Sequence, residues 1–184
     1  MKIGFIGIGV MGTGIINNLR KNNYDVTVYN RTKAHAQTVL GNGAKWADNP
    51  AELTKKVDIL FTMVGFPKDV EDIYFGQDGI LIVAKAGQYV VDMTTSKPSL
   101  AQKIDQIGEE KGLHILDAPV SDGDIGAKNG TLTVMIGGHK EDLNHLHDLF
   151  ITFASKLNYF GSYGSGQHAK MANQIMIAGE PLLA

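Results

Sequence analysis

Two groups of residues in this 184-residue chain have types and spacings suited to chemistry. Gly7, Gly9 and Gly12 fall at G-x-G-x-x-G, directly after an apolar run from Lys2 to Ile8 and before Ile15, Ile16 and Leu19, which recur at helical spacing. Strand, glycine turn and helix, in that order, are the context in which this pattern predicts a bound dinucleotide. One glycine permits the turn, one lets the backbone approach a pyrophosphate, and one lets helix and strand pack closely. The helix N-terminus offers free N–H groups and partial positive charge to the phosphates, so Val10 and Met11 join Gly7, Gly9 and Gly12 as candidate cofactor contacts. Far downstream, Lys170, Asn173 and Gln174 lie at i, i+3 and i+4 of a predicted helix and share one face. An ammonium beside carboxamides can move a proton while its neighbours orient it. The competing reading is a solvated charge on an amphipathic helix, the usual place of a lysine.

The elements between these groups supply further candidates. Asp25 to Tyr29 reads as a second parallel strand and delivers Asn30, Arg31 and Thr32 to its C-terminal end, where this fold approaches the adenosine ribose. An acidic residue there would accept from the ribose 2′-hydroxyl of NAD. Neutral Asn30, a guanidinium and a hydroxyl suit a 2′-phosphate instead, so NADP(H) is expected over NAD(H). Asp58 to Val64 is a nearly continuous apolar strand, and Val64 and Gly65 at its end are candidate backbone contacts. Tyr89 to Met93 leads into Thr94, Thr95 and Ser96, hydroxyls that can face a nicotinamide or cap the helix predicted over 99–111. His114 to Val120 empties into a polar, glycine-rich loop predicted over 121–130. There the glycines beside Ser121 suit N–H groups turned toward a small anion such as a carboxylate. Asp122 and Asp124 lack the further oxygens and closing glutamate of a calcium loop, and His145 and His147, two apart on a helix, point to different faces. No metal site is expected, and the histidines read as solvated surface imidazoles.

The remaining periodicity predicts helices over 33–40, from Pro50 with Asn49 as cap, over 69–75, 80–86 and 140–154, with strands over 131–137 and 156–160. Gly161 to Gly166 reads as a flexible linker before the last helix. The fold class is therefore α/β, a Rossmann-type, doubly wound, mainly parallel sheet.

Composition sets the limits. The chain is 43% hydrophobic and 20% charged with a formal net charge of −2, as in an ordinary globular domain. No basic block suits nucleic acid. There are no cysteines, which removes disulfides and thiolate chemistry. No apolar run is long enough for a bilayer span, and the apolar start behind Lys2 fits a first strand better than a cleaved signal. A cytoplasmic protein without nucleic-acid or membrane partners is the expectation.

Taken together, Gly7-Ile8-Gly9-Val10-Met11-Gly12, Asp92-Met93-Thr94-Thr95-Ser96, Asp117-Ala118-Pro119-Val120-Ser121-Asp122-Gly123 and Gly166-Gln167-His168-Ala169-Lys170-Met171-Ala172-Asn173-Gln174 resemble the β-hydroxyacid dehydrogenases, which include 3-hydroxyisobutyrate dehydrogenase and tartronate semialdehyde reductase. The resemblance covers essentially the whole chain. It implies hydride transfer to and from a small 3-hydroxy acid or its semialdehyde, with Lys170 as acid/base and Thr95 near the nicotinamide. It further implies that Ser121, Asp122, Gly123, Asn173 and Gln174 lie around a small carboxylate substrate. Two positions depart from the family pattern: Asp122 stands where a glycine is usual, and Gln174 where a second asparagine is usual. The resemblance also implies a division into a cofactor domain over 1–161 and a linker with the start of an interdomain helix over 162–184. The helix meets Gly179-Glu180-Pro181, so a truncated helix and an absent all-helical C-terminal domain are expected. The alternative is a dinucleotide-binding module without turnover, associating with another copy through Ile175, Met176, Ile177, Leu182 and Leu183 of the C-terminal helix.

Overall fold

The computed structural model describes residues 1–179; the expected break at Glu180-Pro181 and the apolar pair Leu182 and Leu183 lie outside them. Strand β1 (Lys2–Ile6) runs into helix α1 (Val10–Lys21), followed by β2 (Asp25–Tyr29), a 3-10 turn (Lys33–Ala36), α2 (Gln37–Gly41), β3 (Lys45–Trp46) and α3 (Pro50–Lys56). The central part comprises β4 (Ile59–Thr62), α4 (Pro67–Phe75), α5 (Ile80–Val83), β5 (Tyr89–Asp92), α6 (Pro98–Glu110) and β6 (His114–Asp117). The chain continues through β7 (Val120–Ser121), α7 (Gly123–Asn129), β8 (Leu132–Gly138), α8 (Lys140–Phe150), β9 (Ala154–Gly161) and α9 (Ser165–Gly179).

The sheet order is β3-β2-β1-β4-β5-β6-β8-β7, with β9 on the other side of β8. From β3 to β6 every pairing is parallel. The chain turns antiparallel where β6 and β7 meet β8, and β9 pairs β8 in parallel. The order reverses between β1 and β4, which makes the outside of their C-terminal ends the natural ligand crevice. The expected doubly wound, mainly parallel sheet is therefore present.

Burial on both faces explains the apolar strands. Successive residues of a strand point to opposite sides, so Phe5, Phe61, Val91 and Leu116 enter one core while Ile6, Leu60, Val90 and Ile115 enter the other. Phe61 meets the edges of Phe150 and Phe153 at ring-centroid distances of 6.0 and 5.8 Å, which fastens α8 and the turn after it to the sheet.

Several expectations require correction. The helix expected over 33–40 is a 3-10 turn followed by one short α-helical turn. The helix expected over 140–154 ends at Phe150, because Phe153 is needed in the core and Ala154 already belongs to β9. The loop expected over 121–130 contains β7 and the short helix α7. Its polar, glycine-rich composition concealed a helix held from outside: the Asn18 carboxamide of α1 donates to the Ala127 carbonyl at 2.8 Å. Ser96 does not cap α6. Its hydroxyl is buried without a hydrogen-bond partner among the described residues, and Lys97 occupies the cap position. Asn49 does cap α3, its side-chain oxygen accepting from the Glu52 N–H at 2.7 Å beside Pro50.

Candidate functional site

The glycine turn sits where β1 ends and α1 begins, and each glycine has its own steric reason. Gly7 has φ +103°, and a Cβ there would run into the Met63 carbonyl. At Gly12 a Cβ would strike the Gly7 carbonyl, so only glycine lets α1 close on the strand. Nothing lies within 4 Å of a Cβ built at Gly9; the backbone there faces open space. Helix α1 has no side-chain cap and no acidic residue in its first turn, so its first N–H groups and positive dipole end are left for an anion.

That open space is a cleft of about 660 Å³. Gly7, Gly9, Val10, Met11, Gly12, Asn30, Arg31, Thr32, Val64 and Gly65 all line it. Thr95 does not; it is exposed beyond the end of β5. The cleft is thus bounded by the C-terminal ends of β1, β2 and β4 and by α4. Asn30 is bonded within the chain at both ends of its carboxamide, its oxygen accepting from the Ile8 N–H at 3.0 Å and its amide donating to the Thr32 carbonyl at 2.9 Å. It braces the glycine turn against the end of β2. Arg31 is exposed and pairs with Asp69 of α4 at 3.2 Å. A glycine cradle, an uncapped helix N-terminus and a guanidinium at the ribose end are a donor set that fits a dinucleotide.

A second cluster forms where β7 meets α9. Lys170 is 8% exposed, and its ammonium lies 3.4 Å from the Ser121 hydroxyl, which also accepts from the Asn173 amide at 3.1 Å. Burial pulls the Lys170 pKa below the ordinary lysine value, while the Asp122 carboxylate pulls it back up. Asp122 has φ +84°, the left-handed region that favours glycine, and its carboxylate accepts from the Thr133 N–H at 2.9 Å. This bond to β8 helps a non-glycine residue hold that conformation, which aspartate tolerates better than most. Gly123 begins α7, and Gln174 is exposed on α9. The structure therefore unites Lys170, Ser121 and Asn173 and leaves Gln174 outside the hydrogen-bonded group.

Two positioning residues carried no assignment in the sequence reading. Buried Asp117 at the end of β6 accepts from the N–H groups of Gly164 and Gln167, both at 2.8 Å. Buried Gln167 donates to the Thr94 carbonyl at 2.7 Å and accepts from the Ser96 N–H at 2.8 Å, which ties the loop after β5 to α9. The run from Gly161 to Gly166, expected as a flexible linker, is consequently fixed: Gly164 is buried and bonded, and Ser165 already starts the helix. No local pattern announces such bonds, because the partners stand 47 to 73 residues apart.

Among the described residues no group of three His, Asp or Glu side chains could hold a metal ion, and no helix is long and apolar enough to cross a membrane. His145 and His147 are exposed, as expected, although His145 also stacks on Tyr89 at 4.8 Å.

Comparison with known proteins agrees with this geometry. The sequence pattern described as the NAD binding domain of 6-phosphogluconate dehydrogenase matches residues 2–161. An uncharacterised oxidoreductase of Bacillus subtilis is 52% identical over 176 residues, covering 96% of this chain and 61% of that protein. A probable mitochondrial 3-hydroxyisobutyrate dehydrogenase-like protein of Arabidopsis thaliana is 46% identical over 178 residues, covering 96% of this chain and 53% of that protein. Among solved structures, 3-hydroxyisobutyrate dehydrogenase of Mycobacterium tuberculosis with L-serine superposes with a TM-score of 0.93 at 27% identity, over 99% of this chain and 62% of that one. The chain thus spans between about half and about three fifths of the length of these relatives. It is an NAD(P)-binding Rossmann domain, and it belongs to the family of the NAD binding domain of 6-phosphogluconate dehydrogenase, aligned with the N-terminal part of the β-hydroxyacid dehydrogenases.

Proposed function

We propose that this chain is the cofactor-binding and proton-transferring half of an NADP(H)-dependent oxidoreductase acting on a small 3-hydroxy acid or the corresponding semialdehyde. The observation that carries the reading is the position of Lys170: buried, depressed in pKa, and within reach of a serine hydroxyl that Asn173 also holds. A merely solvated lysine has neither the burial nor the partners.

Bound in the cleft, the nicotinamide cofactor supplies hydride chemistry. The glycine turn and the α1 N-terminus hold the pyrophosphate, and Arg31 with Thr32 meets the 2′-phosphate. Lys170 gives a proton to the substrate oxygen in the reducing direction and takes it back in the oxidising one. Ser121, with the adjacent backbone of Asp122 and Gly123, holds the substrate carboxylate. Asn173 orients Ser121 and, through it, the ammonium. The Asp117 and Gln167 bonds fix α9 to the strand ends, so that these groups are in place before substrate arrives.

The cofactor part is tested by thermal denaturation of this chain with each nucleotide. NADPH raises Tm more than NADH does; equal or absent shifts overturn the assignment. The catalytic part is tested by turnover of short 3-hydroxy acids and semialdehydes, measured on this chain and on the longest natural product that contains it. Lys170→Ala abolishes turnover and leaves the NADPH shift intact. Loss of neither would return Lys170 to a structural role.

A second reading, a dinucleotide-binding module that associates through α9 without turnover, draws on one feature. Met171, Ile175, Met176 and Ile177 are all at least half exposed on that helix, an apolar surface of the kind that favours association. Molecular mass in solution, with and without Ile175→Lys, tests it.

A further inference from the structure

Two opposite charges meet at the rim of the cleft. Arg31 stands on the loop after β2, and Asp69 stands in the first turn of α4, on the opposite wall. Their ion pair at 3.2 Å therefore spans the cleft at the end where the adenosine ribose belongs. The partners are unequal. Asp69 is held in place, because its second carboxylate oxygen accepts from the Phe66 N–H at 3.1 Å and so caps α4. The Arg31 side chain is 87% exposed, so its side of the pair is screened by water and readily exchanged.

Building on the reading of this cleft as an NADP(H) site, we propose that Asp69 is a specificity-determining residue that moderates the preference for the 2′-phosphorylated cofactor. To turn its fork onto a 2′-phosphate, Arg31 must share or leave the contact that its Nη1 makes with Asp69, and the phosphate dianion must then settle near that carboxylate. A dinucleotide with a free 2′-hydroxyl faces neither cost: the ion pair persists, and a carboxylate is a natural acceptor for a ribose hydroxyl. The acidic group that NAD-binding folds commonly carry at the end of the second strand is absent here, where Asn30 stands. Asp69 brings a carboxylate to the same region from the opposite wall. Asp72 and Asp78 also line the cleft, but Asp72 pairs with Lys68 at 2.7 Å. The ion pair that Arg31 makes among the described residues is with Asp69, which is therefore the carboxylate that competes directly for it.

The test is a set of equilibrium dissociation constants for NADPH and NADH, read from nicotinamide fluorescence or titration calorimetry, on the wild-type chain, Asp69→Asn, Arg31→Ala and the double variant. Asparagine keeps an oxygen for the Phe66 N–H, so Tm of Asp69→Asn without nucleotide stays near wild type and verifies the α4 cap. Asp69→Asn is expected to tighten NADPH by about two- to fivefold, the upper part of the range of one exposed ion pair, and to leave NADH within about twofold or weaken it. The gain should shrink in 0.5 M salt, where such pairs are screened, and shrink again in the Arg31→Ala background. NADPH affinity unchanged or weakened in Asp69→Asn, while Arg31→Ala still loses NADPH selectively, overturns the role of Asp69 alone. If Arg31→Ala leaves NADPH binding intact, the NADP(H) reading of the cleft fails and the inference falls with it.

Discussion

Asp117 closes both of its carboxylate oxygens on the turn that starts α9, taking the N–H of Gly164 on one and that of Gln167 on the other. This places the lysine of α9 one turn beyond an anchor in the sheet. Asp117→Asn replaces one acceptor with an amide that faces an N–H donor, so a buried group is left unsatisfied. Its expected cost is about 1–3 kcal/mol, read as a lower urea midpoint with an unchanged slope. An unchanged midpoint would mean that α9 does not depend on this bond pair.

Gly9 and Gly12 should separate binding from stability. A methyl group at Gly9 meets open space, so Gly9→Ala keeps the Tm of the wild type, while in the cleft that Gly9 lines it is expected to crowd the proposed pyrophosphate position and weaken NADPH binding. Gly12→Ala collides with the Gly7 carbonyl and is expected to cost about 1–3 kcal/mol in stability, as overpacking does. Denaturation and nucleotide titration of both variants check the contrast; equal loss of stability in the two would contradict it.

Lys170 and Asp122 make a pH prediction. The Asp122 carboxylate raises a lysine pKa that burial has lowered. Removing its charge therefore lowers that pKa further, and under the proposed role of Lys170 as base the neutral lysine is reached at lower pH. Asp122→Asn keeps an acceptor for Thr133 and tolerates the left-handed backbone. The acid limb of its kcat/KM profile is expected to move down by a few tenths to about one pH unit, measured on a turnover-competent form of the protein. An unmoved limb would place Asp122 outside the field of Lys170, and a shift upward would reverse the sign of its effect.

Asp105 links stability to pH at a site remote from the glycine turn. Burial, with repulsion from Glu109 and Asp117, raises its pKa to about 7; the Tyr163 hydroxyl and His139 act in the opposite direction. The folded state thus keeps a proton that the unfolded chain releases near its ordinary carboxylate pKa of 3.8. Stability contributed by this group is complete below that value, falls as pH rises through the interval up to about 7, and is level above. Asp105→Asn removes this slope, so Tm measured across the interval flattens and exceeds the wild type at pH 8. A steeper fall would reverse the sign of the assignment.

The linear chain determined much of this protein by itself. Glycine spacing, apolar runs bounded by turn residues and the polar ends of strands are local patterns, and local patterns report the backbone directly. They were enough for the α/β class, the parallel strands, the dinucleotide turn and the nomination of Asn30, Arg31, Ser121 and Lys170. Where tertiary contact competes with local preference, they failed. Helix α7 is polar and glycine-rich yet folds because α1 covers it, and α8 stops early because Phe153 is drawn into the aromatic core. Only the fold decided that Asn30 is spent on bracing the glycine turn, that Arg31 faces a carboxylate from the opposite wall, and that Asp117 and Gln167 hold α9 to the strand ends. The physical reason is common to these cases. Such bonds join groups tens of residues apart whose separate contexts are ordinary, and their meaning arises when the sheet brings the strand ends to one edge.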